Sequence, residues 1–267
     1  MAKLRLTIAC NSFDFLQPLR EGKVQAEGLD LNLITVEESG TRVYRMYHHG
    51  EYDACEFSMS SYLVAQATGI DWFQAIPFFP RRMFGHKFCF IRDGSGFKRP
   101  SDLKGRKIGI SSYKNTLALM VKGMFMHDYG LPLEEVKWVC VNREQIETQL
   151  PASVKIEYLE GGKKLEALLI SNEIDAEVEP ILPEAWLQGR GTIERLFPEF
   201  EKEEQTYYKK NLIFPIMHTI VIKKEILDRD PWVATSLFEA LKESQRNLHG
   251  VYATAPSLEF RMGKVIP

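Results

Sequence analysis

The pattern that most restricts the fold of this 267-residue chain is a repeated alternation of strand-like and helix-like segments. Short runs with every second residue apolar predict half-buried strands, and longer runs with apolar residues three or four apart predict helices. Alternation of this kind predicts an α/β fold with a mainly parallel sheet. The predicted strands are 3–10, 29–36, 52–57, 107–110 and 176–178, and the predicted helices are 14–21, 41–49, 60–68, 115–129, 163–171 and 232–248.

Two short echoes in the sequence favour a division into two lobes. The phrases Glu-Tyr-Asp-Ala at 51–54 and Glu-Ile-Asp-Ala at 173–176 each follow a predicted helix and precede a strand. Echoes of four residues also arise by chance, so this repeat alone does not exclude a fold with a single lobe. The extended apolar runs 86–92 and 218–223 each begin with a histidine, His86 and His218, which suggests two hinge strands.

The hinge hypothesis gives a specific domain prediction. Lobe one comprises residues 1–88 and 219–267, lobe two comprises residues 89–218, and a ligand cleft lies between them with both histidines at its floor. In open α/β sheets, polar groups at strand ends and helix starts are suited to small anionic ligands.

Composition excludes several classes of function. Apolar residues make up 45% and charged residues 26% of the chain, and the formal net charge is -2, without a long basic run. This balance argues against nucleic-acid binding. No apolar segment is long enough to predict a membrane span, and the polar N-terminal strand does not resemble a signal peptide, so we expect a cytoplasmic protein. The four cysteines have no spacing typical of disulfide frameworks or zinc sites.

The segment 50–91 concentrates the candidate ligand groups. A short strand ends at Glu56 and leads into Ser58, Ser60 and Ser61, and a later strand ends in Arg81 and Arg82, shortly before His86. Hydroxyls and guanidinium groups at these positions suit a carboxylate ligand. Ser58 or Ser60 also has a plain structural interpretation as a helix N-cap, and Glu56 as a carboxylate near a helix start.

Several blocks of the sequence resemble known families. Pro-Ser-Asp-Leu-Lys-Gly-Arg-Lys-Ile-Gly-Ile at 100–110 is similar to the entry of the second lobe in type 2 periplasmic-binding-protein folds. A second set of blocks comprises Ala9-Cys10, 22–24 with 27–28, Glu-Phe-Ser-Met-Ser-Ser-Tyr at 56–62, 79–82 with His86, and 218–219. On these blocks the chain more narrowly resembles the 4,5-dihydroxyphthalate decarboxylase family, from its N-terminus to about Thr254. After Asp14, this chain has Phe-Leu where that family has Arg-Thr.

The resemblance implies decarboxylation of an electron-rich aromatic ortho-dicarboxylate, 4,5-dihydroxyphthalate, to protocatechuate and CO2. Such an enzyme must hold a carboxylate and protonate a ring carbon. Arg82 is the predicted carboxylate clamp, with Arg81 beside it, and a surface salt bridge is the alternative. His86 is the leading predicted proton donor, His218 is its counterpart, and a purely structural histidine remains open for each. Glu56 would bond ring hydroxyls or tune a histidine.

Lobe two adds a second predicted anion site. This site comprises Ser112, Tyr113 and Thr116, which lie between a strand and a helix, where free backbone N–H groups attract anions. A purely structural role of Ser112 and Thr116 as helix caps is nearly as good an interpretation. Glu177 faces either the cleft or solvent, and we favour solvated charges for Glu177 and Glu179. No cofactor or metal signature is present, and none is expected.

Two rival functions remain open on the sequence. One is a non-catalytic solute-binding protein of the ABC-transporter type for a small aromatic carboxylate, because the fold alone does not determine function. The other is a different lyase on this fold, such as a chorismate-dehydratase-like enzyme. The expected partner is a small aromatic carboxylate, with no nucleic acid and no membrane span, and the sequence is compatible with a homo-oligomer.

Overall fold

The computed structural model describes residues 2–160 and 162–254, with the backbone alone for 248–254. Within these ranges the chain forms two compact units. The first comprises the described parts of Met1–Phe57, Ile70–Pro80 and Thr219–Pro267, and the second comprises those of Ser58–Gly69 and Arg81–His218. The predicted lobes, 1–88 with 219–267 and 89–218, differ from these units at residues 58–69 and 81–88, and the lobe boundaries stay a prediction.

Eleven strands and nine helices of four or more residues occur in the described residues, with four short 3-10 turns at Asp14–Leu16, His86–Phe88, Pro100–Leu103 and Leu133–Glu135. The strands are β1 (Leu4–Cys10), β2 (Leu29–Thr35), β3 (Ala54–Ser58), β4 (Phe73–Arg82), β5 (Cys89–Arg92), β6 (Lys107–Ile110), β7 (Lys137–Cys140), β8 (Lys155–Tyr158), β9 (Ala176–Val178), β10 (Ile193–Arg195) and β11 (Ile216–Lys223). The helices are α1 (Gln17–Arg20), α2 (Ser39–His49), α3 (Met59–Ala67), α4 (Thr116–Tyr129), α5 (Leu165–Ile170), α6 (Glu184–Leu187), α7 (Phe200–Asn211), α8 (Lys224–Arg229) and α9 (Trp232–Thr254).

The first sheet has the order β2-β1-β3-β11-β4. β1 pairs in parallel with β2 on one side and with β3 on the other. Alternate residues of β1, including Leu6 and Ile8, share a buried core with Val233 and Leu237 of α9. Because the chain continues from β1 to β2 on one side and then to β3 on the other, the strand order reverses at β1.

The second sheet has the order β10-β5-β9-β6-β7-β8. β6, β7, β8 and β9 are parallel, and β5 is antiparallel to β9 and β10. Helix α4 packs in the core that contains Ile108 and Ile110, whereas α5 packs in a separate core with Phe90 and Val139. Since successive residues of a strand point to opposite faces, the two helices cover opposite faces of this sheet. The strand order therefore reverses between β6 and β9.

The α/β prediction is confirmed, with two mixed sheets in place of one mainly parallel sheet. Strands 107–110 and 176–178 occur at the predicted residues. Helix α4 begins after Asn115, whose side chain accepts a hydrogen bond from the Ala118 N–H at 2.8 Å and caps the helix. The extended run predicted for 86–92 is wrong at its start, because residues 86–88 form a 3-10 turn before β5.

All four cysteines are free and buried. Burial raises the pKa of Cys10 to about 12, so this thiol stays protonated and unreactive at neutral pH. Within the described parts of the chain, no helix is long and apolar enough to cross a membrane.

Candidate functional site

The reversal points of the two sheets define where each unit can bind a ligand. In open α/β sheets the crevice lies outside the carboxyl ends of the strands that flank such a point. In the first unit these ends lead to Asn11, after β1, and to the last residues of β3. In the second unit they lead to Ser111, after β6, and to Glu179, after β9. Each unit therefore has one crevice position fixed by topology.

The carboxyl end of β3 contains a buried ion pair. Glu56 Oε2 lies 2.9 Å from Arg42 Nη2, and both side chains are fully buried. Glu56 Oε2 also accepts the Asn11 N–H at 2.8 Å, and Arg42 Nε donates to the Glu56 carbonyl at 3.0 Å. A further guanidinium nitrogen of Arg42 donates to the Val36 carbonyl. The pair ties β1, α2 and β3 together at the crevice, so Glu56 has a charged partner that the sequence analysis missed.

Arg42 had one weak signal in the sequence. It lies four residues before Met46 on α2 and next to Val43, both of which are buried. Residues four apart on a helix share a face, so Arg42 follows the apolar stripe of α2 toward the core. An arginine on such a face requires a buried acid, but nothing in the sequence identifies Glu56 as that acid.

Three predicted ligand hydroxyls meet where α3 and α4 begin. Thr116 Oγ1 lies 2.8 Å from Ser58 Oγ and 3.0 Å from Ser60 Oγ, and it accepts the Ser60 N–H at 3.1 Å. Ser58 occupies the N-cap position of α3, but its side chain makes no capping bond. Ser61 is half-buried on the same helix. The structure thus brings Ser58, Ser60 and Thr116 into one hydroxyl cluster within the second unit.

The loop after β6 is already occupied by a carboxylate of the protein itself. Glu144, from the segment after β7, accepts the Tyr113 N–H at 2.7 Å and the Lys114 N–H at 3.2 Å. The predicted anion site of free N–H groups is therefore wrong for these two amides. Ser112 is half-buried beside them, and Tyr113 is buried. The sequence offers no signal for Glu144, because it lies 31 residues from Tyr113.

A buried lysine supports the same loop. Lys122 of α4 is 3% exposed, and its Nζ donates to the Tyr113 carbonyl and lies 3.1 Å from the centroid of the Tyr113 ring. Burial lowers the pKa of Lys122 to about 7. The loop is thus held by an acid on one side and by a lysine on the other, which keeps its backbone in one position.

The two arginines at the end of β4 differ in exposure. Arg82 is exposed, its Nη2 and Nε donate to the Phe214 carbonyl at 2.8 and 3.3 Å, and its guanidinium carbon lies 4.8 Å from the centroid of the Phe214 ring. Arg81 is half-buried, as expected for neighbours on an extended strand. The exposed guanidinium of Arg82 is compatible with the predicted carboxylate clamp, and the roles of both arginines stay predictions.

His86 lies in a dry aromatic environment. The side chain is 1% exposed, and the ring centroids of Phe197, Tyr207 and Tyr129 lie 5.1, 5.6 and 6.2 Å from that of the imidazole. Neither ring nitrogen has a hydrogen-bond partner among the described residues. Burial lowers the pKa of His86 to about 4, and Asp128 opposes the shift only in part. The imidazole is therefore neutral at pH 7, which does not suit a proton donor.

His218, the second predicted proton donor, lies within β11 and is 8% exposed. The next residue, Thr219, is fully buried, and its hydroxyl donates to the Ile76 carbonyl at 3.0 Å. The strand predicted to begin at His218 is therefore confirmed, and it starts two residues earlier at Ile216. The catalytic role of His218 stays a prediction.

The two acids at the end of β9 are not solvated as expected, because Glu177 is buried and Glu179 is half-buried. Glu177 is 2% exposed and its Oε2 has no hydrogen-bond partner in the described chain. Burial raises the pKa of Glu177 to about 8, and the neighbouring acids Glu179 and Glu166 add to the shift. Burial also raises the pKa of Glu179 to about 7. Both side chains hold a proton for a large part of the time at neutral pH, which a sequence-based charge count does not show.

Replacement of His86 by phenylalanine tests its buried neutral state. Because the folded pKa lies below the unfolded value near 6.5, the unfolded chain binds more protons between pH 6.5 and 4. The free energy of unfolding of the wild type should therefore fall by about 2–3 kcal/mol between pH 7 and 4.5 because of His86, and this part of the fall should be absent in His86→Phe. Denaturant titrations at both pH values measure this difference. His127→Gln, at an exposed position of α4, is the control, and equal pH dependence of wild type and His86→Phe would contradict the expectation.

Comparison with solved structures defines the class of fold. The periplasmic aliphatic sulphonate binding protein SsuA from Escherichia coli matches with a TM-score of 0.60 and 10% sequence identity, over 95% of this chain and 76% of that chain. The two units therefore have the fold of periplasmic binding proteins, as the resemblance implied.

Sequence comparison then places the chain in its family. The model of the NMT1/THI5-like family matches residues 21–161. The 4,5-dihydroxyphthalate decarboxylase of Comamonas testosteroni is 32% identical over 92% of this chain and 76% of its own length, and that of Pseudomonas putida is 33% identical over 78% and 83%. The chain belongs to the NMT1/THI5-like family and is a homologue of the 4,5-dihydroxyphthalate decarboxylases.

Proposed function

We propose that this protein is a carboxy-lyase that converts 4,5-dihydroxyphthalate to protocatechuate and CO2. The proposal is supported most strongly by sequence similarity to two 4,5-dihydroxyphthalate decarboxylases. About one third of the aligned residues are identical, and the alignments cover most of the length of both relatives. The grouping of hydroxyls at Ser58, Ser60 and Thr116 and the exposed guanidinium of Arg82 provide groups that suit a dicarboxylate.

The substrate class follows from the chemistry of the reaction. A hydroxyl para to the departing carboxylate supplies the electrons that let a ring carbon accept a proton. The bond to the carboxylate then breaks, CO2 leaves, and the ring regains its aromaticity. The protein must hold the remaining carboxylate, for which the planar fork of arginine is suited, and must deliver the proton. Arg82 is the proposed clamp, and the hydroxyl cluster is proposed to bind substrate oxygens.

One departure from the family pattern has a structural explanation. Phe15 and Leu16, which stand where the decarboxylases have Arg-Thr, are buried in the core of the first unit, and Phe15 packs against Phe78 at 5.5 Å between ring centroids. An apolar side chain at this position packs as core and offers a ligand no charge. We propose that the contacts to the substrate carboxylates come from the other groups named above.

Turnover with 4,5-dihydroxyphthalate tests the proposed function directly. Purified protein is incubated with the compound, and products are separated by chromatography against a protocatechuate standard. We expect many equivalents of protocatechuate per protein molecule. Phthalate without the two hydroxyls is the matched control, and it should not react because its ring lacks the electron donor. Recovery of unchanged 4,5-dihydroxyphthalate bound to the protein, without product, would instead indicate a solute-binding protein.

A further inference from the structure

Ring protonation needs a group that holds a proton near neutral pH and lies where a ligand binds. His86 does not meet the first condition, because its buried imidazole has a pKa of about 4 and is neutral at pH 7. The end of β9 offers an acid of a different type. Glu179 is the first residue after this strand, beside the reversal point between β6 and β9. It is half-buried, and its N–H donates to the Phe88 carbonyl at 3.3 Å.

A second acid lies behind Glu179 on the same strand. Glu177 faces the side of the sheet that holds Phe90, its antiparallel partner, and its unpartnered Oε2 is buried there. Residues two apart on an extended segment point to the same side, and the charge of Glu179 disfavours ionisation of Glu177. Glu166 of α5 is a third acid nearby, and its carboxylate accepts the Glu184 and Ala185 N–H groups at 3.0 and 2.6 Å.

Neither Glu177 nor Glu179 has an ion-pair partner among the side chains of residues 2–160 and 162–247. The carboxylate of Glu166, by contrast, accepts two N–H groups at the start of α6. An uncompensated carboxylate in a partly dry site favours its neutral form, which can donate a proton. In line with this, burial raises the pKa of Glu179 to about 7, close to the value at which general acids work best.

We propose that Glu179 is the proton donor to the aromatic ring. In this step the O–H bond of the Glu179 carboxyl breaks and a C–H bond forms at the ring carbon that bears the departing carboxylate. The C–C bond to that carboxylate then breaks, its electron pair restores the aromatic ring, and CO2 leaves. Glu179 regains its proton from water. The inference rests on the proposed function, because it requires a substrate that is protonated at carbon.

The variant Glu179→Gln tests the assignment. It keeps the size and polarity of the side chain but removes the acid. We expect kcat for 4,5-dihydroxyphthalate to fall by about a hundredfold or more, the usual scale for a lost general acid. Dissociation constants measured by calorimetry should change by less than about threefold, because the lost proton acts in the transition state. Glu201→Gln, at an exposed position of α7, is the matched control and should behave as the wild type.

The pH profile separates an acid catalyst from a structural residue. Wild-type kcat should fall as the pH rises through about 7, because Glu179 loses its proton, and the variant His86→Gln should show the same fall. Near-normal kcat in Glu179→Gln would overturn the assignment of Glu179. A fall of kcat that disappears only in His86→Gln or His218→Gln would overturn it as well. Absence of turnover by the wild type would overturn the proposed function as well, so the two failures are distinguishable.

Discussion

Replacement of Arg42 by alanine is expected to lower the free energy of unfolding by about 3–5 kcal/mol, the cost of leaving one buried charge without its partner. Arg42 and Glu56 are both fully buried and lie 2.9 Å apart. Without the guanidinium, Glu56 loses its charged partner and retains the hydrogen bond from the Asn11 N–H at 2.8 Å. Urea unfolding followed by circular dichroism measures the loss.

A second arginine on the same helix provides the control. Arg45 pairs with Glu51, but both side chains are well exposed. Exposed pairs contribute little because water screens them, so Arg45→Ala should leave the unfolding midpoint nearly unchanged. If Arg42→Ala and Arg45→Ala shifted the midpoint equally, the buried pair would not have the role that its geometry indicates. Since the pair joins β1, α2 and β3, we also expect Arg42→Ala to weaken binding of 4,5-dihydroxyphthalate.

Replacement of Glu177 by glutamine is expected to stabilise the protein at pH 8 by about 4 kcal/mol relative to the wild type. The folded pKa of Glu177, about 8, lies above the unfolded value of 4.5. The folded chain therefore binds more protons between these values, and wild-type stability falls as the pH rises from 4.5 to 8. Glutamine has no proton to lose, so this part of the fall disappears.

Denaturant unfolding at pH 5 and pH 8 measures the effect. The difference between Glu177→Gln and the wild type should be small at pH 5 and large at pH 8. Glu201→Gln, the exposed control, should follow the wild-type curve at both values. A difference that is the same at both pH values would mean that Glu177 ionises as it does in the unfolded chain, and that the environment at the end of β9 is not dry.

The sequence determined the secondary structure closely where local patterns are strong. Strands 107–110 and 176–178 and the helix predicted at 115–129 follow from apolar periodicity, which depends on near neighbours alone. The cap of this helix is Asn115, not Ser112 or Thr116. The sequence assigned Ser58 and Ser60 to lobe one and Thr116 to a second anion site in lobe two, whereas these three hydroxyls meet in one cluster of the structure. The start of β5 was mispredicted, because the apolar residues at 86–88 form a 3-10 turn.

Only the tertiary structure decided which polar groups are charged and which are accessible. Arg42 meets Glu56, Glu144 closes the loop at Tyr113, and His86 is enclosed by aromatic rings from other parts of the second unit. These contacts join residues between 14 and 121 positions apart in the chain. The pKa of a side chain depends on the water and charges around it, and those are set by long-range packing. The sequence therefore determined the class of fold and supplied candidate residues, and the packing decided which of their side chains are buried, paired or exposed.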